Sequence, residues 1–298
     1  GHCTFAGLEQ PRNTIIMKCV VCDGQMLQRQ PWLYICPDCG FGASNLAAGG
    51  GRGIAGLETL RRKNFVTLCG WLNERYSLAG KKVLEVGCAE GWFLEEARSR
   101  GMIGCAIEPS RPHAEMSRAK GFDVIEGFFP DDIDTAARFD FIVFNDVFEH
   151  LPDPVSALAR CEEMLEPGGV LVLNLPSNRG IFYRLGAVLA SLGQLGPLER
   201  LWQKGFPSPH LTYFNPVTLR RFVDRFTGLR HVGTLSLATF VAQGLWERVE
   251  TSHPGIGGRL IYAGLRLALP VIQLLPADIV VGVFEKPVRI ETINLPLS

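Results

Sequence analysis

A buried strand that runs into a glycine-rich turn and then a helix constrains this chain more than any other feature. Lys82 to Gly91 reads KVLEVGCAEG. Val83 to Val86 is an apolar run broken only by Glu85, Gly87 and Gly91 follow, and Trp92 to Arg98 (WFLEEAR) has helical spacing. Glycines let backbone pass close to a ligand, and the first turn of a helix offers unpaired N–H groups. About 20 residues on, a second apolar run, Met102 to Ile107, ends in Glu108, where an acidic group suits the two hydroxyls of a ribose. The unit is a nucleotide-approach turn in an α/β fold.

The turn does not match a dinucleotide fingerprint. GxGxxG would fall on Gly87, Ala89 and Trp92, and an indole at the third place obstructs the close helix packing that a pyrophosphate site needs. Further segments follow in order. Phe139 to Asn145 (FDFIVFN) is a continuous apolar strand that runs into DVFEHLPDP, Asp146 to Pro154. A helix over Val155 to Leu165, a helix stop and turn at EPGG (Glu166 to Gly169) and a buried strand over Val170 to Leu175 come next. With these motifs the chain resembles the class I S-adenosylmethionine (SAM)-dependent methyltransferases of the small-molecule branch, whose first motif runs ExGxGxG or DxGxGxG. Ala89 stands at the middle glycine.

The resemblance implies an α/β fold over residues 81–288: a seven-stranded Rossmann-like sheet with helices on both faces. Its sixth strand would be Leu229 to Leu237, and its seventh, Asp278 to Glu285, would run antiparallel between the fifth and sixth. It also implies SAM as cofactor. Glu85 would lie near the methionine ammonium, with backbone contacts from Gly87, Cys88, Ala89 and Gly91. Glu108 would hold the ribose, Asn145 and Asp146 would line the methionine side, and the turn at Glu126 to Phe128 would flank adenine.

Nine cysteines divide into two groups. Cys19 and Cys22 form one CxxC, Cys36 and Cys39 another, with thirteen residues between the pairs. Two such knuckles place four thiolates around Zn2+ at about 2.3 Å, so residues 17–45 read as a structural zinc ribbon, with a disulfide pair or redox CxxC as the alternatives. A segment this short needs the metal to be stable. Cys3, Cys69, Cys88, Cys105 and Cys161 lack ligand spacing and read as buried or incidental thiols. Residues 1–16 show no periodicity and read as a flexible extension. Residues 46–80 read as a glycine-rich linker followed by a helix covering the sheet, and residues 289–298 as a tail.

Charge and composition narrow the partners. Over 298 residues, Lys plus Arg equals Asp plus Glu, which argues against a nucleic-acid partner. No run of 18 uncharged apolar residues and no apolar leader is visible, so the expectation is a cytoplasmic protein without a spanning helix. Two leucine-rich insertions, about 179–208 and 239–276, carry scattered arginines. They read as a lid over the site or as a peripheral contact with the inner face of a membrane. Some quinone-pathway methyltransferases resemble this chain in carrying a membrane-touching insertion, which would suit a lipid-linked acceptor.

The sulfonium of SAM already activates the methyl group, so the protein must align an acceptor and remove its proton. His150, in FEHLPDP at a strand end, and His210, in PHLTYFNPVTL before a helix capped by Asn215, are the base candidates, with Tyr213 in reserve. HxxYF at His210 to Phe214 resembles a segment of sugar methyltransferases that also carry an N-terminal zinc site, which favours His210. The expected function is methyl transfer to an oxygen of a small glycan, quinone-like or lipid-linked metabolite. Nitrogen or carbon acceptors share the same motifs. An RNA base methyltransferase with a zinc module and a noncatalytic binding protein are the rival readings, and the oligomeric state is not legible.

Overall fold

The computed structural model describes residues 15–50, 57–252, 255–272 and 274–288. The expected extension up to residue 14, Cys3, part of the linker, His253 and the tail lie outside the described residues. In chain order the first elements are β1 (Ile15–Lys18), β2 (Gln25–Gln30), β3 (Leu33–Ile35), β4 (Gly42–Ser44) and α1 (Glu58–Asn73). The nucleotide-approach unit follows as β5 (Lys82–Val86), α2 (Trp92–Ser99), β6 (Ile103–Glu108), α3 (Arg111–Ala119) and β7 (Asp123–Glu126). Then come β8 (Phe139–Asn145), a 3-10 turn at Phe148–His150, α4 (Pro154–Met164), β9 (Leu165–Pro176), α5 (Ile181–Ser191) and α6 (Gly196–Leu201). The chain continues through β10 (Thr212–Tyr213), α7 (Pro216–Phe226), β11 (Arg230–Leu237), α8 (Leu245–Ser252), α9 (Ile256–Ile272) and β12 (Ile279–Glu285).

Seven strands form the main sheet in the order β11-β12-β9-β8-β5-β6-β7. β5 to β9 pair in parallel, while β12 runs antiparallel between β9 and β11, so the expected topology is borne out. Continuous apolar runs are what a sheet covered on both faces requires, since alternate residues point to opposite sides. Leu84, Ile142, Phe144, Leu171 and Leu173 share one core with Leu158 and Cys161 of α4 and Phe222 of α7. Val83, Phe141, Val143, Val172 and Val281 share the other with Phe65 and Leu68 of α1 and Phe93 and Leu94 of α2. EPGG, expected as a turn outside the strand, lies within β9: Phe139 pairs with Leu165 and Phe141 with Val170, so the two glycines are accommodated in an irregular stretch of ladder.

The four-cysteine segment is not an isolated knob. Its strands form a second sheet, β1-β2-β3-β4-β10, whose last strand comes from the far side of the chain. β1 also begins at Ile15, inside the expected extension. Thr212 pairs with Ala43 and Tyr213 with Gly42. Further ties are Asn178 Nδ2 donating to the Gly40 carbonyl (2.7 Å) and Arg225 to Asp23 (2.8 Å). Phe41 packs at 5.0 Å on Phe214, within the same core as the sheet. Asn215 caps α7 as expected: its side chain accepts from the N–H groups of Val217 and Thr218, and Thr218 returns a bond to its backbone N–H.

No helix among the described residues is long and apolar enough to cross a membrane. Both insertions are helical, α5 and α6 in the first and α8 and α9 in the second. Cys69, Cys88 and Cys161 are buried, and Cys105 is half-buried.

Candidate active site

The turn after β5 carries three left-handed residues at alternate positions: Gly87 (φ 72°), Ala89 (φ 45°) and Gly91 (φ 75°). Ala89, at the middle glycine position of the motif, thus adopts the conformation that glycine would take without strain. Two bonds hold it there, its N–H to Glu108 Oε2 (2.9 Å) and its carbonyl from Ser117 Oγ (2.8 Å). At Gly87 a Cβ would stand 2.6 Å from Val147 Cγ2, whereas at Gly80, with φ 77°, it would meet nothing within 4 Å. Gly87→Ala should therefore lower stability by about 1–3 kcal/mol through strain plus a clash, and Gly80→Ala by only about 1 kcal/mol. Urea unfolding of the two variants checks the order.

Glu85 and Glu108 end neighbouring strands and are both buried. Glu108 is engaged on both oxygens, its Oε1 accepting from Ser110 N–H (2.9 Å) and its Oε2 from Ala89, which leaves a second lone pair on each. Glu85 is engaged on one side only. Its Oε1 accepts from Asn145 Nδ2 (2.9 Å), Asn145 Oδ1 accepts from Asn174 Nδ2 (3.1 Å), and its Oε2 has no partner. Burial pushes the Glu85 carboxyl up to about 8. A cationic group at Oε2 would supply the missing interaction.

Beyond the ends of β8 and β9 opens a cavity of about 500 Å3. Carboxyl ends of strands are where open α/β sheets take ligands. Its polar wall includes Arg61, Asp146, Glu149, His150, Gln203 and His210. Both insertions roof it, through Arg200 and Leu201 on one side and Val249, Ile261 and Leu265 on the other. Asp146 sits at φ 55° and pairs with Arg61 of α1 (3.1 Å).

The two histidines separated by sixty positions in sequence meet here, ring centroids 4.8 Å apart. His150 Nδ1 donates to the Pro209 carbonyl (2.8 Å), which leaves Nε2 as the free lone pair. His210 Nε2 faces Gln203 Nε2 (2.9 Å), and its backbone is held by Ser44 Oγ donating to its carbonyl (2.7 Å) and by its N–H to Trp202 (3.1 Å). Glu149 Oε1 lies 3.9 Å from each histidine Nε2. Burial drives all three toward their neutral forms, lowering His150 and His210 and raising Glu149. Tyr213 also lines the cavity; its phenol is raised first by burial, then by Tyr183.

Glu85, Asn145, Glu108 and the turn residues thus form one connected group, while Asp146, His150, His210 and Tyr213 line the adjoining cavity. Phe128, expected beside adenine, is 66% exposed. Sequence reasoning passed over Glu149, Arg61, Asn174 and Gln203. Glu149 was legible as the acid beside His150 in FEH; the other three are brought in by tertiary packing alone.

Among the cysteines, Cys19 Sγ lies 3.6 Å from Cys39 Sγ and Cys22 Sγ 3.5 Å from Cys36 Sγ, and the four sulfurs fall within 4.8 Å of one another. Four thiolates at about 2.3 Å from a tetrahedral ion stand roughly 3.8 Å apart, so the cage fits Zn2+.

Comparison with known proteins agrees with this geometry. Residues 57–230, over half the chain, match the family model described as a methyltransferase domain. The ubiquinone biosynthesis O-methyltransferase of Pseudomonas aeruginosa (strain LESB58) is 31% identical over 113 residues, covering 35% of this chain and 48% of that protein. Its namesake in Thiobacillus denitrificans is 31% identical over 126 residues, covering 40% and 54%. The chain spans about half the length of the curated relatives it matches. Among solved structures, a candidate sarcosine dimethylglycine methyltransferase from Galdieria sulphuraria aligns with a TM-score of 0.51 at 17% identity, covering 76% of this chain and 87% of that one. A chain of the Haloferax volcanii complex between the Trm112 methyltransferase activator and a methyltransferase aligns at 0.52 and 15%, covering 78% and 95%. These two likenesses concern the fold alone. With strand order, glycine turn and family match in agreement, the chain belongs to the methyltransferase domain family.

Proposed function

We propose that the protein transfers a methyl group from SAM to an oxygen of a small-molecule acceptor held in the 500 Å3 cavity. The half-satisfied, buried Glu85 carboxyl beside a left-handed glycine turn is the observation that carries this reading. In it, the methionine ammonium sits at Glu85 Oε2, the ribose at Glu108, and Gly87, Cys88, Ala89 and Gly91 supply backbone contacts. Asn145 orients Glu85, and Asp146 lines the methionine side with Arg61 neutralising it. The methyl group then faces the cavity where Glu149, His150 and His210 converge. His210 is the assigned proton acceptor and Tyr213 packs beneath the acceptor. Burial keeps His210 neutral, and its Nε2, which faces the Gln203 amide, takes a proton when that contact is given up.

His210→Ala should lower kcat by about 10²- to 10⁴-fold with SAM affinity unchanged. An unaltered rate would remove His210 from the mechanism. A screen of labelled methyl transfer across sugar, phenol, lipid-linked and RNA acceptors tests the acceptor class; label on RNA alone would overturn it.

The four cysteines are assigned to a structural Zn2+. Relatives named for ubiquinone biosynthesis, and the outward face of α9, support a lipid-linked acceptor met at a membrane surface. Ile256, Leu260 and Leu267 are 70–83% exposed beside exposed Arg259 and Arg266, and no acidic residue lies between 255 and 277. Such a face lies in an interface with its basic groups at anionic headgroups. The protein should co-sediment with vesicles containing phosphatidylglycerol, and Leu260→Asp with Leu267→Asp should release it; a wild-type chain that stays in the supernatant contradicts membrane contact.

A further inference from the structure

Glu149 raises a question that methyl transfer alone does not answer. Its carboxylate is 2% exposed, Oε2 has no hydrogen-bond partner, and among the described residues the basic side chains paired with Oε1 are the half-buried His150 and the buried His210. A buried carboxylate is costly unless it is paired or coordinates a metal. Asp146, one turn earlier, already has Arg61; Glu149 has none.

One of the neighbouring imidazoles, that of His150, is held as metal ligands are. A ligating histidine typically donates its other ring N–H to a carbonyl or carboxylate, which fixes the tautomer and aims the remaining lone pair. His150 does this through Nδ1 to Pro209. At His210 the Nε2 lone pair receives the Gln203 amide N–H, so both Nε2 atoms are unprotonated, and each lies 3.9 Å from Glu149 Oε1. The three ligand atoms lie within 4.8 Å of one another. Ligand atoms about 2.1 Å from a common ion can be no more than roughly 4.2 Å apart, so the cluster needs only a small contraction. Gln203 sits at φ 52° on the loop after α6 and is the group an incoming ion would displace from His210. All four line the cavity.

The geometry points to a divalent first-row metal site formed by Glu149, His150 and His210. Two imidazoles and one carboxylate leave further coordination positions open toward the cavity. An acceptor with two adjacent oxygens, such as a catechol or vicinal diol, can occupy them. This role rests on the methyl-transfer reading; the site itself does not. With the ion in place, the coordinated hydroxyl loses its proton to solvent, its oxygen forms the bond to the methyl carbon, and the C–S bond breaks with its electron pair passing to sulfur, releasing S-adenosylhomocysteine. His210 is then a ligand in the metal-loaded form and the proton acceptor in the metal-free form.

Titration of the full chain with Mn2+, followed by loss of the free-ion electron paramagnetic resonance signal, tests the site. Mn2+ prefers oxygen and imidazole donors, so the four-cysteine cage, already loaded with Zn2+, does not compete. One saturable Mn2+ per chain is expected, weakened more than about tenfold in Glu149→Gln and in His150→Gln. No saturable binding by the wild-type chain overturns the proposal, as does binding that both variants leave unchanged. Wild-type titration is decisive even where a variant fails to fold. SAM affinity measured on the same sample separates the two readings: SAM binding without Mn2+ sinks the metal site only, and Mn2+ binding without SAM sinks the methyl-transfer role only.

Discussion

Replacing Cys36 with serine should lower acceptor methylation at least a hundredfold. Cys36 is fully buried and brings one of four sulfurs to the cage proposed to hold Zn2+, and a structural zinc contributes about 10–16 kcal/mol of binding free energy to folding. The loss reaches the chemistry through a short path. β4 pairs with β10, Ser44 holds the His210 carbonyl, and Leu211 N–H donates to the Glu149 carbonyl (2.8 Å), so the cysteine sheet fixes both His210 and the 3-10 turn beside it. Displacing a catalytic group by about 1 Å costs roughly 10²-fold. Zinc content by mass spectrometry, thermal unfolding and methyl transfer should fall together in Cys36→Ser. A variant that loses zinc yet keeps its melting temperature and rate would show that the cage does not buttress the site.

Glu85→Gln should weaken SAM about 10- to 100-fold, the worth of one charge-assisted contact. The carboxyl is held near 8 by burial, so at neutral pH it is mostly protonated before a ligand arrives. A neighbouring ammonium favours the ionised form and lowers that value, so binding must release a proton to the buffer. Release should be greatest between the lowered, ligand-bound value and about 8, and vanish both above that range, where Glu85 is already ionised, and at acid pH, where it is protonated with and without ligand. Calorimetry in two buffers of different ionisation enthalpy reads this directly. Equal heats in both, or a Gln variant that binds as tightly as the wild type, would move the ammonium away from Glu85.

Local patterns made much of this legible. The run KVLEV with its glycines, and Glu108 one strand later, encode strand, turn and approach site in local patterns, and the cap at Asn215-Pro216 is a two-residue signal. The antiparallel last strand followed from the resemblance to a family rather than from its own residues. What escaped was non-local. β10 is two residues long and pairs with a strand some 170 positions earlier, a contact that no periodicity announces. Glu149 was visible as the acid beside His150, but its burial was not, since a glutamate in sequence reads as exposed. α9 presents one face to the cavity, through Ile261 and Leu265, and another to solvent, so its composition alone did not distinguish a lid from a membrane surface.

The crystal structure of the chain with S-adenosylhomocysteine tests the central assignment most directly. The account predicts the amino group within hydrogen-bond distance of Glu85 Oε2, the ribose at Glu108, and the sulfur facing the cavity bounded by Glu149, His150 and His210. Ligand bound elsewhere, or a sulfur turned away from that cavity, would contradict it.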